Sequence, residues 1–266
     1  MIDNPRSPRV RAVAKLFKRA GRRDSGRFVL EGPQSVSEAL EYRPDLVVDL
    51  FATEAAADRH SDLVRAAQRA DLEVELVSPA VLEAMSDTVT PQGVVAVARQ
   101  FPVSLDAVVE SSPRLVAVLE EVRDPGNAGT ILRAADAAGA DAVIFSGDAV
   151  DPYNPKVVRS TTGSLFHVPL VVGVTLREAS AALRDAGLQV LAADVSGDDL
   201  LRARPDLAAP TAWVFGNEAR GLDEERLALA DRAIRLPIYG KAESLNLATA
   251  ASVCLYESAF AQRSGR

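Results

Sequence analysis

Three short stretches between residues 123 and 252 of a 266-residue chain gather side chains able to orient a ligand and hold developing charge. In RDPGNAGTILRAADAAG (123–139), Asn127 and Arg133 stand six residues apart across a Pro–Gly loop and the first turns of a helix. In FGNEARGL (215–222), Gly216 and Gly221 bracket Glu218 and Arg220. In IRLPIYGKAESLNLATAAS (234–252), Glu243, Ser244 and Asn246 stand directly before an almost wholly apolar run. An amide, a guanidinium, a carboxylate and a hydroxyl suit chemistry done by positioning and charge stabilisation. Metal chemistry has no such support, because His60, His167 and Cys254 make no ligand cluster. Cys254, without a partner for an internal disulfide, reads as a small buried apolar side chain.

Taken singly, each stretch has an ordinary structural account. Asn127 suits a helix cap and Arg133 a surface ion pair with Asp136; the second stretch suits a turn with exposed charges. Ser244 suits the cap of the last helix, but a plain cap leaves Glu243 and Asn246 unexplained. A dinucleotide-binding loop is the obvious competitor for the first stretch, and it fails: Gly126 and Gly129 are three apart and Gly139 lies beyond the helix, so the G-x-G-x-x-G spacing is absent. What the three share is position. Each follows a short apolar run that reads as a strand, where open α/β sheets place their ligands.

The elements that would position them are legible in the same way. RFVLEG (27–32), DLVVDLFA (45–52), LEVELV (72–77) and GVVAVAR (93–99) read as strands, with helices over 35–40, over 58–69, and over 78–86, where Ser78 caps and Pro79 takes the first helical position. QFPVSLDAVVESSPR (100–114) reads as a linker. From Leu115 a second series begins: strands LVAVLE, DAVIFS, LQVLAADV, TAWVFG and RAIRLP alternate with helices, the last of them opened by Ser244. Strand and helix in alternation give an α/β fold with a parallel sheet covered on both faces.

The composition, 48% hydrophobic and 25% charged, is that of globular material. No apolar stretch is long enough for a signal peptide or membrane span, so a cytoplasmic protein is expected. The net charge of −7 is uneven, since residues 1–27 carry nine basic side chains against Asp3 and Asp24 and leave −14 for the rest. Such an arm either neutralises phosphates or is a solvated terminus.

Together the three stretches resemble, in residue type, order and spacing, the three motifs of the SpoU-type (TrmH-like) RNA 2′-O-ribose methyltransferases of the knotted SPOUT superfamily. FVLEGPQSVSEAL through TPQGVVAVAR is similar to that family's N-terminal substrate-binding domain. The resemblance implies a basic arm (1–24), an L30e-like RNA-binding α/β domain (25–99), a linker (100–114) and a C-terminal parallel-sheet domain with a deep trefoil knot (115–266). It implies S-adenosylmethionine as cofactor, with Gly216, Leu236 and Leu245 lining its site. Asn127, Arg133, Glu218, Ser244 and Asn246 would form the reacting and ribose-positioning set. RNA, ribosomal rather than transfer RNA, would be the partner, held by Arg9, Arg11, Lys15, Lys18, Arg19, Arg22, Arg23, Lys156 and Arg159; a homodimer would bury part of the last helix. The alternative in another class is a noncatalytic RNA-binding or ribosome-assembly factor of the same fold.

Overall fold

Where the sequence reads as a charged arm, Ser7 starts a helix: its hydroxyl accepts from the Val10 N–H, with Pro8 at the first helical position. The computed structural model describes residues 1–263 and divides into two units, Met1–Phe101 with Asp151–His167, and Pro102–Val150 with the residues from Val168 onward. In the first unit, α1 (Pro8–Lys15) and α2 (Arg19–Ser25) replace the expected arm. Val10, Val13 and Leu16 sink into a cluster with Val29, Phe51, Val81 and Met85, a burial that holds the basic segment in place. Arg22 corrects the RNA-contact expectation. It is only 2% exposed, pairs with Asp151 at 2.7 Å, and donates to the Leu16 and Phe17 carbonyls at 2.9 and 3.0 Å. Arg11, Lys15, Lys18, Arg19, Arg23 and Lys156 are exposed, as is Arg9, which pairs with Asp49 and Glu75.

The first unit continues with β1 (Arg27–Glu31), α3 (Pro33–Tyr42), β2 (Val47–Ala52), α4 (Glu54–Arg59), α5 (Ser61–Arg69), β3 (Val74–Leu76), α6 (Pro79–Ala84) and β4 (Val94–Arg99). Its sheet runs β1-β4-β2-β3, with β4 antiparallel to both neighbours and β2 parallel to β3. Two helices stand where one was read at 58–69, because Thr53 caps an earlier start and His60 leaves helical geometry between them.

The second unit opens with α7 (Leu105–Glu110), capped by Ser104, so the expected linker holds a helix whose Val108 joins the core. Then come β5 (Leu115–Glu120), α8 (Pro125–Ala138) and β6 (Ala142–Ser146). Residues Asp151–His167, including α9 (Pro155–Thr161), were expected with the C-terminal domain but belong to the first unit. Phe28, Phe101, Tyr153 and Phe166 cluster there with ring centroids 4.8 to 6.4 Å apart, and Arg159 pairs with Glu31 at 2.6 Å. Burial pushes the Tyr153 phenol well above its ordinary range.

The polypeptide re-enters the second unit with β7 (Leu170–Val174), α10 (Leu176–Asp185), β8 (Gln189–Asp199), α11 (Leu200–Ala203), β9 (Thr211–Phe215), α12 (Glu224–Leu227), β10 (Arg232–Arg235) and α13 (Leu247–Arg263). All six strands are parallel, in the order β10-β8-β9-β5-β6-β7. Every residue of β5 and β9 is buried, as continuous apolar runs covered on both faces should be.

Arg22→Leu would leave Asp151 without its counter-charge and the Leu16 and Phe17 carbonyls without the guanidinium donor. The substitution is expected to lower unfolding stability by about 3 kcal/mol, whereas Lys18→Ala at an exposed site stays within about 0.5 kcal/mol of the parent. Urea denaturation of the two variants checks this.

Candidate active site

Four adjacent strands, β10, β8, β9 and β5, deliver their carboxyl ends to one cavity. At the end of β9, Gly216 is required by close approach: a Cβ there would lie 2.7 Å from the backbone carbonyl carbon and oxygen of Gly221. The loop after it is folded by Asn217, whose Oδ1 accepts from the Ala219 and Arg220 N–H groups at 3.1 and 3.2 Å. Its Nδ2 donates to the Glu121 carbonyl at 2.9 Å, tying this loop to the one after β5. Beneath it, Arg226 bridges Glu120 at 2.8 Å and Glu121 at 3.0 Å and also pairs with Asp223; these bonds hold its guanidinium well above the ordinary range.

This bracing aims Glu218. Its carboxylate accepts from the Arg123 N–H at 3.1 Å, the Asp124 N–H at 3.0 Å and Asn127 Nδ2 at 3.3 Å. Asn127 Oδ1 in turn accepts from Asn246 Nδ2 at 2.9 Å. The cap of α8 is Asp124, not Asn127: its carboxylate takes the Asn127 N–H at 2.8 Å and leaves the amide side chain free to join Glu218 to Asn246. Likewise Asn246, not Ser244, caps α13, accepting from the Ala248 and Thr249 N–H groups at 3.0 and 3.2 Å. The loop between β10 and α13 carries Ser244 just ahead of that cap.

The cavity has a volume of about 510 Å³, and Asn127, Glu218, Leu236, Ser244, Leu245 and Asn246 all line it. Gly216 lies immediately before the lining loop. Arg133 is elsewhere: it sits on the exposed side of α8 and makes no ion pair or hydrogen bond among the described residues. Lining residues that the sequence did not signal include Asp194 and Val195, in the middle of β8 just past the part paired with β9, and Ile234 and Ile238. No Asn or Gln stands near them to mark the segment as the other loops are marked. Chemically the cavity offers apolar walls from Ile234, Leu236, Ile238 and Leu245 beside the Glu218 and Asp194 carboxylates, while the charge of Arg220 is taken up by Glu121 at 2.9 Å. Apolar walls beside two carboxylates fit an apolar ligand that carries positive charge. Among the described residues no group of His, Cys, Asp or Glu is arranged to hold a metal ion.

The chain matches the SpoU rRNA Methylase family over residues 114–256 and the RNA 2′-O ribose methyltransferase substrate binding family over residues 29–103. It is 32% identical to the 23S rRNA (guanosine(2553)-2′-O)-methyltransferase RlmP of Bacillus subtilis, over 96% of this chain and 97% of that one. It is also 32% identical to the 23S rRNA (uridine(2479)-2′-O)-methyltransferase of Streptomyces viridochromogenes, over 95% of this chain and 89% of the other. Among solved structures, the SpoU methyltransferase AviRb from Streptomyces viridochromogenes in complex with AdoMet has a TM-score of 0.83 at 32% identity, covering 98% of this chain and 100% of that one. The AdoMet-bound rRNA methyltransferase of Sinorhizobium meliloti has a TM-score of 0.83 at 29% identity, covering 97% and 96%.

Asn127→Asp replaces the amide donor with a second carboxylate against Glu218 and sets two like charges in contact. Urea denaturation at pH 7 is expected to show a loss of about 1 kcal/mol.

Proposed function

The chain belongs to the SpoU rRNA Methylase family, and we propose that it transfers a methyl group from S-adenosylmethionine to a ribose 2′-hydroxyl of 23S rRNA. The observation that carries this reading is the Glu218–Asn127–Asn246 series of hydrogen bonds, which closes three strand-end loops around one cavity of matching chemistry. The cofactor supplies an activated methyl group on a sulfonium. Leu236 and Leu245 would flank its apolar part, with the Gly216 backbone at the base of the loop; Glu218 and Asp194 favour its positive charge.

Transfer to a hydroxyl needs an in-line approach and removal of the hydroxyl proton. Arg133, on the same helix as Asn127 and without an ion pair among the described residues, is the cation that would meet the RNA beside the reacting ribose. A guanidinium stays protonated at ordinary pH, so Arg133 holds the target phosphate and stabilises developing alkoxide charge, and the proton leaves through phosphate or water. Both ends of the Asn127 amide are engaged, which makes it a positioning residue. Asn246, likewise engaged at both ends, fixes the loop, and Ser244 is the group of the two left to meet the nucleotide.

The proposal extends to the assembly. On α13, Val253, Tyr256 and Phe260 form an apolar stripe on the surface of the single protomer, with Phe260 61% exposed. A second copy covering this stripe makes a homodimer and supplies the burial expected of so apolar a helix. Family membership further implies the deep trefoil knot in the second unit and an L30e-like first unit that receives rRNA in preference to tRNA. Arg11, Lys15, Lys18 and Lys156 lead the phosphate contacts, and the setting is cytoplasmic; among the described residues no helix is long and apolar enough to cross a membrane.

Labelled methyl is expected to pass from S-adenosylmethionine to unmodified large-subunit rRNA and not to bulk tRNA. Arg133→Ala should lower that rate about 100-fold, and Arg133→Lys should recover little of it because a point charge does not reproduce the bidentate fork. Full turnover by the lysine variant would overturn the role given to Arg133; cofactor binding without transfer to either RNA would point to the noncatalytic factor. Tyr256→Asp is expected to shift the protein from dimer to monomer in sedimentation velocity, and an unchanged dimer would place the interface elsewhere.

A further inference from the structure

The loop between β10 and α13 carries a tip that the cavity does not use. Leu236, Ile238, Ser244 and Leu245 line the cavity, whereas the residues between Ile238 and Ser244 stand outside the lining: Tyr239, Gly240, Lys241, Ala242 and Glu243. The run from Ile238 to Asn246 is exposed throughout, and from Ile238 to Leu245 no residue makes a hydrogen bond or ion pair among the described residues. A span whose two flanks are both wall of the cavity forms part of its rim. Tyr239 is the group on that rim whose exposure asks for a reason, since 84% of it is open to solvent. The other exposed aromatics have ring partners: Tyr42 stands edge-on to His167 at 4.2 Å and Tyr256 lies 5.5 Å from Phe260, while Tyr239 makes no ring contact among the described residues. A ring left in water gains free energy when another flat group covers it. The charges beside it do not select an ion, because Lys241 and Glu243 offset each other.

The chemistry of the site identifies what covers the ring. A hydroxyl that receives a methyl group from the cavity has to come to its mouth, past this rim. In the reading of this protein as an RNA methyltransferase, on which the inference rests, that hydroxyl arrives on an RNA strand, and unpaired bases of such strands are bound by stacking on aromatic side chains. We propose that Tyr239 stacks against an unpaired base of the substrate RNA beside the methylated ribose. The contact needs only the face of the ring. Every base has a π face, so Tyr239 contributes affinity and placement of the strand and leaves the choice of base to other groups.

The test uses the full-length protein and transfer of labelled methyl from S-adenosylmethionine to unmodified large-subunit rRNA. Tyr239→Ala should raise KM for the RNA about tenfold with kcat kept, as loss of a contact formed equally in ground and transition states requires. Tyr239→Phe keeps the ring and should match the parent. Tyr239→Leu keeps apolar bulk without the π face and should behave as the alanine variant does. Cofactor affinity by calorimetry, sedimentation and thermal unfolding should be the same in all four proteins. An unchanged KM in Tyr239→Ala, or a leucine variant equal to the parent, would overturn the proposal. So would a loss of cofactor affinity, which makes the ring a wall of the cofactor site, or a shift to monomer, which makes it part of a protomer interface. If the parent transfers no methyl to any RNA, filter binding of the same rRNA decides. Binding about tenfold weaker in the alanine and leucine variants alone would uphold the contact and remove the enzyme reading, and equal binding by all four would overturn both.

Discussion

The site depends on one carboxylate. Glu218 receives two backbone N–H groups at the entry to α8 and one side-chain amide, and hydrogen bonds to a charged acceptor are roughly twice as strong as neutral ones. Its influence extends through two asparagines whose orientations are forced. Asn246 must turn its oxygen to the N–H groups of Ala248 and Thr249, so its nitrogen faces Asn127. Asn127 must then present oxygen to Asn246 and nitrogen to Glu218. A helix N-terminus and a carboxylate thus fix both amides from opposite ends, and segments 91 and 119 residues from Asn127 meet with one consistent donor order.

Those bonds can close the site only because the sheet is parallel. Parallel pairing brings the carboxyl ends of β5, β9, β8 and β10 to the same edge, and the helices that follow cover both faces. α13 returns across β9 and packs along α8 through small residues, Ala248, Ala251 and Ala259 being buried, and Trp213 Nε1 donates to Ser258 Oγ at 2.8 Å. Cys254 lies in that packed face, where burial pushes its thiol up to about 12 and leaves it chemically quiet. The polar approach to α13 therefore has a mechanical reason. Asn246 caps the helix with one end of its amide and holds α8 with the other.

Strands were legible because apolar runs bounded by glycine or charge leave little else to form, and the three loops were legible because glycines and amides cluster after them. Caps were harder. Asn127 and Ser244 have the right chemistry for an N-cap, but Asp124 and Asn246 hold the right backbone positions, a distinction of a few residues that side-chain type cannot make. The basic arm misled for a different reason: a count of charges cannot see Asp151, 129 residues from Arg22, or the apolar face of Val10, Val13 and Leu16 that folds the segment. Asp194 escaped notice because it lies within a strand and has no amide beside it, and only the neighbouring strands make it part of a cavity.

The arginines around the site divide into two kinds. Arg123 pairs with Asp148, Arg220 with Glu121, and Arg226 with three carboxylates. In a protein of net charge −7, neutralising a surface guanidinium is easy, and these three are neutralised. Arg133 stands on the same helix as Asn127, less than two turns on, and has no such partner among the described residues. Its backbone is fixed by a fourteen-residue helix with a buried inner face, while its side chain is exposed and unpaired, which separates it from the paired arginines. The paired ones brace the loops around the cavity, while the unpaired one keeps an exposed, uncompensated charge on α8, the property on which its proposed contact with RNA rests.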